Sequence, residues 1–201
     1  MRKGQLYILS GPSGSGKDTI LKIVLQRMDA LQLSISSVTR AMRDGEVNGE
    51  KYNFISRVDF EQMIREDALL EYNVYLGQYY GTPRRPVEDY LNRGIDVILE
   101  IDVNGAQKVK ARCPDAVCIF VLPPSFAVLQ ARLAGRGTET GQAIAKRLEI
   151  ALSEIAQAGW YDYIVVNDVL EQACLELESI IISHRCKTEN RKHWLKEFSK
   201  C

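Results

Sequence analysis

From Gln5 to Val24 the chain reads QLYILSGPSGSGKDTILKIV: a short apolar run, a glycine-rich turn, then a helix-period segment that opens on a lysine. Few backbones accept that order. Glycines at 11, 14 and 16 let successive N–H groups turn toward one point, the start of the helix adds positive potential, and Lys17 is placed to reach an anion held there. The pattern G-x-x-x-x-G-K, between a strand and a helix, is that of a phosphate-binding loop. The departure comes next. Asp18 stands where the motif has a hydroxyl, with Thr19 following.

Downstream, apolar runs alternate with helix-period segments: DVILEID at Asp96, AVCIFVL at Ala116 and YIVVN at Tyr163. This alternation predicts a parallel sheet with helices on both faces. At 201 residues and 46% hydrophobic content one core suffices, and 26 basic against 26 acidic residues leave no overall field to draw the protein onto nucleic acid or a membrane. Five cysteines without C-x-x-C spacing, with His184 and His193 as the possible metal-binding company, predict thiols in a reducing compartment, the cytoplasm. The N-terminal apolar run is too short for a signal peptide or a span.

Two inserts interrupt the alternation. Residues 34 to about 85 are polar and rich in tyrosine, with strand-like KYNFI and LLEYNVY around a helical RVDFEQMIREDA. Residues 126 to about 157 join two helices through Gly135-Arg136-Gly137, the second carrying Ile144, Leu148, Leu152 and Ile155 on one stripe. Asp168 and Glu171 form a candidate capping box for the following helix, and a C-terminal helix is expected to pack Trp194 and Phe198 on the body.

The stretch SISSVTRAMRDGEVNGEKYNF, followed by EYNVYLGQYYGT, resembles the nucleotide-binding insert of guanylate kinases. With the loop, LEIDVNGA, RLAGRGTET and YDYIVVND, the likeness runs from Gln5 to about Arg191. It implies an α/β P-loop nucleoside monophosphate kinase, one domain over 1–201, that moves a phosphoryl group from ATP to GMP and, on the same site, dGMP. ATP would lie on Gly11, Pro12, Ser13, Gly14, Ser15, Gly16, Lys17, Asp18 and Thr19. The forked donors of Arg40 and Arg43, with the hydroxyls of Tyr52 and Tyr80, suit the dianionic phosphate of GMP. Guanine presents two kinds of donor beside one acceptor, so a carboxylate at Glu71 reads the donors while Ser36 and Thr82 serve O6 and neighbouring edges. Adenine would leave Glu71 facing an acceptor. The likeness also puts Asp102 near the base, and Glu100 and Asp102, two apart on a strand, are expected to face one side. Thr82 replaces the serine usual in the family, and Val38 a common threonine.

Phosphoryl transfer requires alignment and charge neutralisation more than covalent help. By resemblance Arg132, Arg136 and Arg147 are lid arginines, and these with Lys17 form the catalytic set. Asn167 either meets the ATP base or caps the last helix. Magnesium accompanies ATP, held through water with Asp18, Thr19 or Glu100 behind it, since this ion keeps several waters. Two other readings remain for such a chain, a scaffold-type binding module and a sugar kinase on the same loop. Retention of Lys17 weighs against the first and the set Ser36, Glu71 and Thr82 against the second.

Overall fold

The continuous apolar run of β1 (Leu6–Ser10) buries both faces of the strand, as a strand in the middle of a covered sheet requires. The computed structural model describes residues 2–135 and 141–198, and β1 is indeed central in it. In chain order the loop leads into α1 (Lys17–Arg27) and β2 (Leu31–Leu33), then a second set of β3 (Ser36–Val38), β4 (Tyr52–Phe54), α2 (Arg57–Arg65), β5 (Leu69–Tyr75) and β6 (Gln78–Pro83). The chain returns through α3 (Arg84–Asn92), β7 (Asp96–Glu100), α4 (Val103–Arg112), β8 (Val117–Leu122), α5 (Phe126–Ala134), α6 (Gly141–Ile155), β9 (Tyr163–Val166), α7 (Leu170–Cys186) and α8 (Thr188–Phe198).

The main sheet runs β2-β7-β1-β8-β9, all parallel. Period two sorts its side chains. Tyr7, Leu9, Ile98, Ile119 and Val121 face α1 and α7, against Leu21, Val24, Cys174 and Leu177. Leu6, Ile8, Leu99, Cys118 and Phe120 face α3 and α4, against Val87, Val103 and Val109. The three-residue edge strand β2 carries too little apolar pattern to be read from sequence.

The insert forms its own sheet, β4-β3-β6-β5, with β3 parallel to β4 and antiparallel to β6. Its helix α2 buries Phe60, which stacks on Tyr79 with ring centres 5.0 Å apart. Ser56 caps α2 by accepting the Asp59 N–H, and Ser125 caps α5 in the same way through the Val128 N–H.

Three sequence expectations are corrected. Val169, not Asp168, caps α7 and makes no side-chain bond there; Glu171 is drawn instead into a two-pronged pair with Arg27 at 2.8 Å. On α6 Ala151 is buried, while Leu152, expected on the buried stripe, is 47% exposed. Trp194 and Phe198 are 61% and 79% exposed, and α8 is joined to α7 by a polar contact, the Asn190 amide donating to the His184 carbonyl at 2.7 Å.

Candidate active site

The loop after β1 is folded tightly by its own backbone. Ser15 N–H donates to the Pro12 carbonyl at 3.0 Å, and the Gly16 carbonyl accepts from Thr19 and Ile20. Gly16 has φ of 86°, and a Cβ there would come within 2.2 Å of Asn167 Nδ2, so both conformation and space demand glycine. Gly11 is similarly confined, its absent Cβ pointing at the Val121 carbonyl oxygen 2.4 Å away.

The loop is braced from behind. The buried Asn167 amide donates to the Ser15 carbonyl at 2.7 Å. Arg132, on the last turn of α5, reaches the Ser15 carbonyl at 3.4 Å and that of Asn167 at 3.0 Å. Arg147, on α6, donates to Ser13 Oγ at 2.7 Å. Two of the three expected lid arginines therefore converge on the loop from different helices; Arg136 lies outside the described residues. Asn167 does not cap α7, and its amide N–H is directed into the loop's backbone.

At the mouth of the loop four charges alternate. Lys17 Nζ lies 3.9 Å from Asp18 and 3.8 Å from Glu100, while Lys51 Nζ lies 3.3 Å from Asp18 and 3.2 Å from Glu100. Burial and its hydrogen bond with Asp18 push the Glu100 carboxyl up to about 7. The same hydrogen bond, with Lys17 and Lys51 beside it, holds Asp18 well below the usual carboxylate range.

On the insert side, Glu71 is buried and accepts the Thr82 hydroxyl at 2.7 Å. Burial raises its pKa and the Thr82 bond opposes the rise. Thr82 thus engages the carboxylate itself, fixing its orientation. Arg40 grips both oxygens of Glu46 at 2.6 Å and lies 5.2 Å over the rings of Tyr52 and Phe54. The Arg43 backbone N–H donates to the same Glu46, and its side chain is exposed. Tyr52 and Tyr80 pack edge to face at 6.3 Å. Glu100 ends β7, so Asp102 is not on the strand: it caps α4, accepting the Gly105 N–H at 2.7 Å and the Asn73 amide at 3.0 Å. Both nevertheless face the cleft.

Two cavities adjoin here. One, of about 430 Å³, is lined by loop residues from Gly11 to Thr19 with Lys51 and Glu154. The other, of about 320 Å³, is lined by Ser36, Glu71, Asn73 and Tyr80. They share Tyr52, Glu100, Ile101 and Asp102 as a common wall. A phosphate-binding loop on one side of that wall and a buried carboxylate on the other make a cleft for two ligands. The family model described as guanylate kinase matches residues 3–184. The chain belongs to the guanylate kinase family. The guanylate kinase of Carboxydothermus hydrogenoformans is 48% identical over 187 residues, covering 93% of this chain and 92% of that one. That of Synechocystis is 49% identical over 179 residues, covering 89% and 94%. The crystal structure of guanylate kinase from Anaplasma phagocytophilum superposes with a TM-score of 0.77 at 30% identity, covering 94% and 90% of the two chains.

Within this guanylate kinase fold three residues at the cleft escaped the sequence reading. Glu46, three after Arg43, organises both arginines. Lys51 comes immediately before Tyr52, and Glu154 on α6 faces the loop cavity. Glu46 and Lys51 lie in a polar segment and Glu154 on an amphipathic helix, where charge alone does not separate a cleft from a solvated face; the glycine-punctuated turn around Glu46 carried a local signal.

Proposed function

We propose that ATP and GMP are held on the two sides of the shared wall and that transfer between them is driven by alignment and charge. The enzyme is an ATP:GMP phosphotransferase yielding ADP and GDP, a nucleotide-binding transferase of purine metabolism. The observation that carries the assignment of sides is the adjoining pair of cavities, one floored by the loop and the other backed by Glu71. Residues 34–85 act as the GMP-binding part of a single domain, and 126–157 as its lid.

In this reading the loop N–H groups and Lys17 take the ATP phosphates, and the lid arginines Arg132, Arg136 and Arg147 add charge where it develops during transfer. Arg40, Arg43, Tyr52 and Tyr80 take the GMP phosphate, with Glu46 keeping the Arg40 fork extended until the dianion competes for it. Glu71, oriented by Thr82, accepts the guanine donors, with Ser36 and Asp102 beside it. Guanine and phosphate, the groups these residues take, are common to GMP and dGMP, so dGMP is proposed as a second acceptor. Asn167 is assigned to the floor of the ATP site through its bond to Ser15.

Magnesium is proposed as the companion of ATP. The donors fit a hard cation, because Asp18 and Glu100 present carboxylate oxygens that already attract two ammonium groups. Asp18, Thr19 and Glu100 would hold it through water, and the bound ion would neutralise phosphate charge. The cytoplasm is the proposed location, supported by the free thiols at Cys113, Cys118, Cys174 and Cys186.

The test is ADP release from ATP with GMP, dGMP or AMP as acceptor, with and without magnesium, on the parent protein and on Glu71→Gln. Turnover is expected with GMP and dGMP and not with AMP. Glu71→Gln should lower kcat/KM for GMP by roughly one to two orders of magnitude, since an amide N–H then faces a guanine donor. An unchanged preference for GMP over AMP in that variant would remove Glu71 from base reading.

A further inference from the structure

Asp18 places a negative charge in the first turn of α1, beside the site proposed for a triphosphate, where the motif has an uncharged hydroxyl. Left alone it would repel the phosphates and, with Glu100 behind it, would draw Lys17 toward two carboxylates. Lys51 meets that difficulty. It arrives from the other part of the molecule, on the turn that leads into β4, and sits closer to both carboxylates than Lys17 does: 3.3 and 3.2 Å against 3.9 and 3.8 Å. With it the two carboxylates face two ammonium groups; without it they would share one. Glu100 is only 12% exposed on its side chain, so the partner it takes is not a freely interchangeable surface ion.

We propose that Lys51 is a positioning residue for Lys17: before ATP and its magnesium arrive, its ammonium takes up Asp18 and Glu100 and leaves Lys17 available for the ATP phosphates. Asp18 and Lys51 are then a matched pair, and the acid after the loop lysine is compatible with phosphate binding because the insert supplies its counter-charge. The pair has a second consequence. Lys51 is the neighbour of Tyr52, which lines both cavities, so the contact from α1 to the insert links the seat of one nucleotide to the seat of the other. Seating Lys51 on Asp18 holds the Tyr52 turn against the loop, and loss of the contact should be felt in GMP binding as well as in ATP binding.

This inference rests on Lys17 contacting the phosphates, and the experiment separates the two. ATP affinity is measured by calorimetry without GMP, and kcat, KM for ATP and KM for GMP by steady state, on Lys17→Met, Lys51→Met, Lys51→Arg, Asp18→Ser and the double variant Asp18→Ser with Lys51→Met. Thermal midpoints are recorded for each. Lys51→Met is expected to weaken ATP binding and kcat/KM by about tenfold, within the range of coupling inside one ion-pair network, and to raise KM for GMP. Asp18→Ser added to it should restore most of the ATP affinity, because the charge that needed cancelling is gone, and Lys51→Arg should retain it. A purely structural role for Lys51 predicts the opposite pattern, a lowered midpoint with no rescue by Asp18→Ser. Additive effects of the two substitutions, or ATP binding by Lys51→Met equal to the parent, would overturn the inference. If Lys17→Met leaves ATP binding intact, it is the assignment of Lys17 that fails.

Discussion

At Glu154 a single carboxylate reports how far a charge can be taken from water beside a phosphate site. It sits between the loop cavity and a neighbouring cavity under α6, and burial pushes its pKa from 4.5 up to about 7, with Lys17 pulling against the rise. A carboxyl whose folded pKa is raised binds more protons folded than unfolded, so its contribution to stability is full below its unfolded value and is lost as pH rises through about 7. Glu154→Gln should therefore flatten the decline of the thermal midpoint between roughly pH 5 and 7, leaving a smaller slope from Glu100, which is raised in the same direction. A midpoint–pH curve identical to the parent's would show that Glu154 is not desolvated. At this scale the sequence was informative where chemistry is bound to a motif. Lys17, Glu71 and Asp102 all line or face the cleft: glycine spacing marked the first, and the resemblance to the guanylate kinases marked the other two. Lys51 and Glu154 were not legible, since a lysine in a polar turn or a glutamate on an amphipathic helix has the same local signature in a cleft and in open solvent.

Among the elements, α6 shows what periodicity resolves and what it leaves open. At about 100° per residue, Ile144, Leu148 and Ile155 share a stripe, and Ala151 and Leu152 flank it on opposite sides, roughly 40° and 60° from its centre. Hydrophobicity favoured leucine; the partner helix decided otherwise. Leu129 and Leu133 of α5 approach on the side of Ala151, which they bury, and Leu152 is left half exposed. Ala151→Leu should cost about 1–3 kcal/mol by overpacking that seam, whereas Leu152→Ala should cost less than about 1 kcal/mol. Urea titration of both variants tests this, and a larger loss from Leu152 would place the seam elsewhere. The missing capping box at α7 has a related cause. Glu171 could serve its own helix start, but Arg27 of α1 offers both guanidinium nitrogens at 2.8 Å. The fork gives Glu171 two bonds to a full positive charge, where the box would give it one bond to a backbone N–H.

Across the whole molecule, Asp96 ties distant parts of the chain together. Fully buried at the start of β7, it receives Arg2 at 2.8 Å, Arg185 at 2.7 Å and the Gln5 backbone N–H at 2.8 Å, so the N-terminal segment and the end of α7 meet on one carboxylate. Removing one partner of a buried charge set leaves the others uncompensated. Asp96→Asn should lower unfolding stability by about 3–5 kcal/mol in denaturant titration, with kcat changed much less than the midpoint because the clamp stands at the opposite end of β7 from Glu100. A loss below about 1 kcal/mol would mean that the arginines find other partners. What the sequence by itself determined was the alternation of the central strands with helices and the phosphate-binding loop between the first such pair, but not the short edge strand β2. Those follow from local rules: period two against period 3.6, glycine where backbone must turn sharply, and a lysine at a helix start. The tertiary structure alone decided which charges meet. The square of Lys17, Asp18, Lys51 and Glu100, the brace of Asn167 on Ser15 and the clamp on Asp96 join residues far apart along the chain. Coulomb attraction between such groups depends on distance and burial, and neither quantity exists until the sheet and its insert have folded against each other.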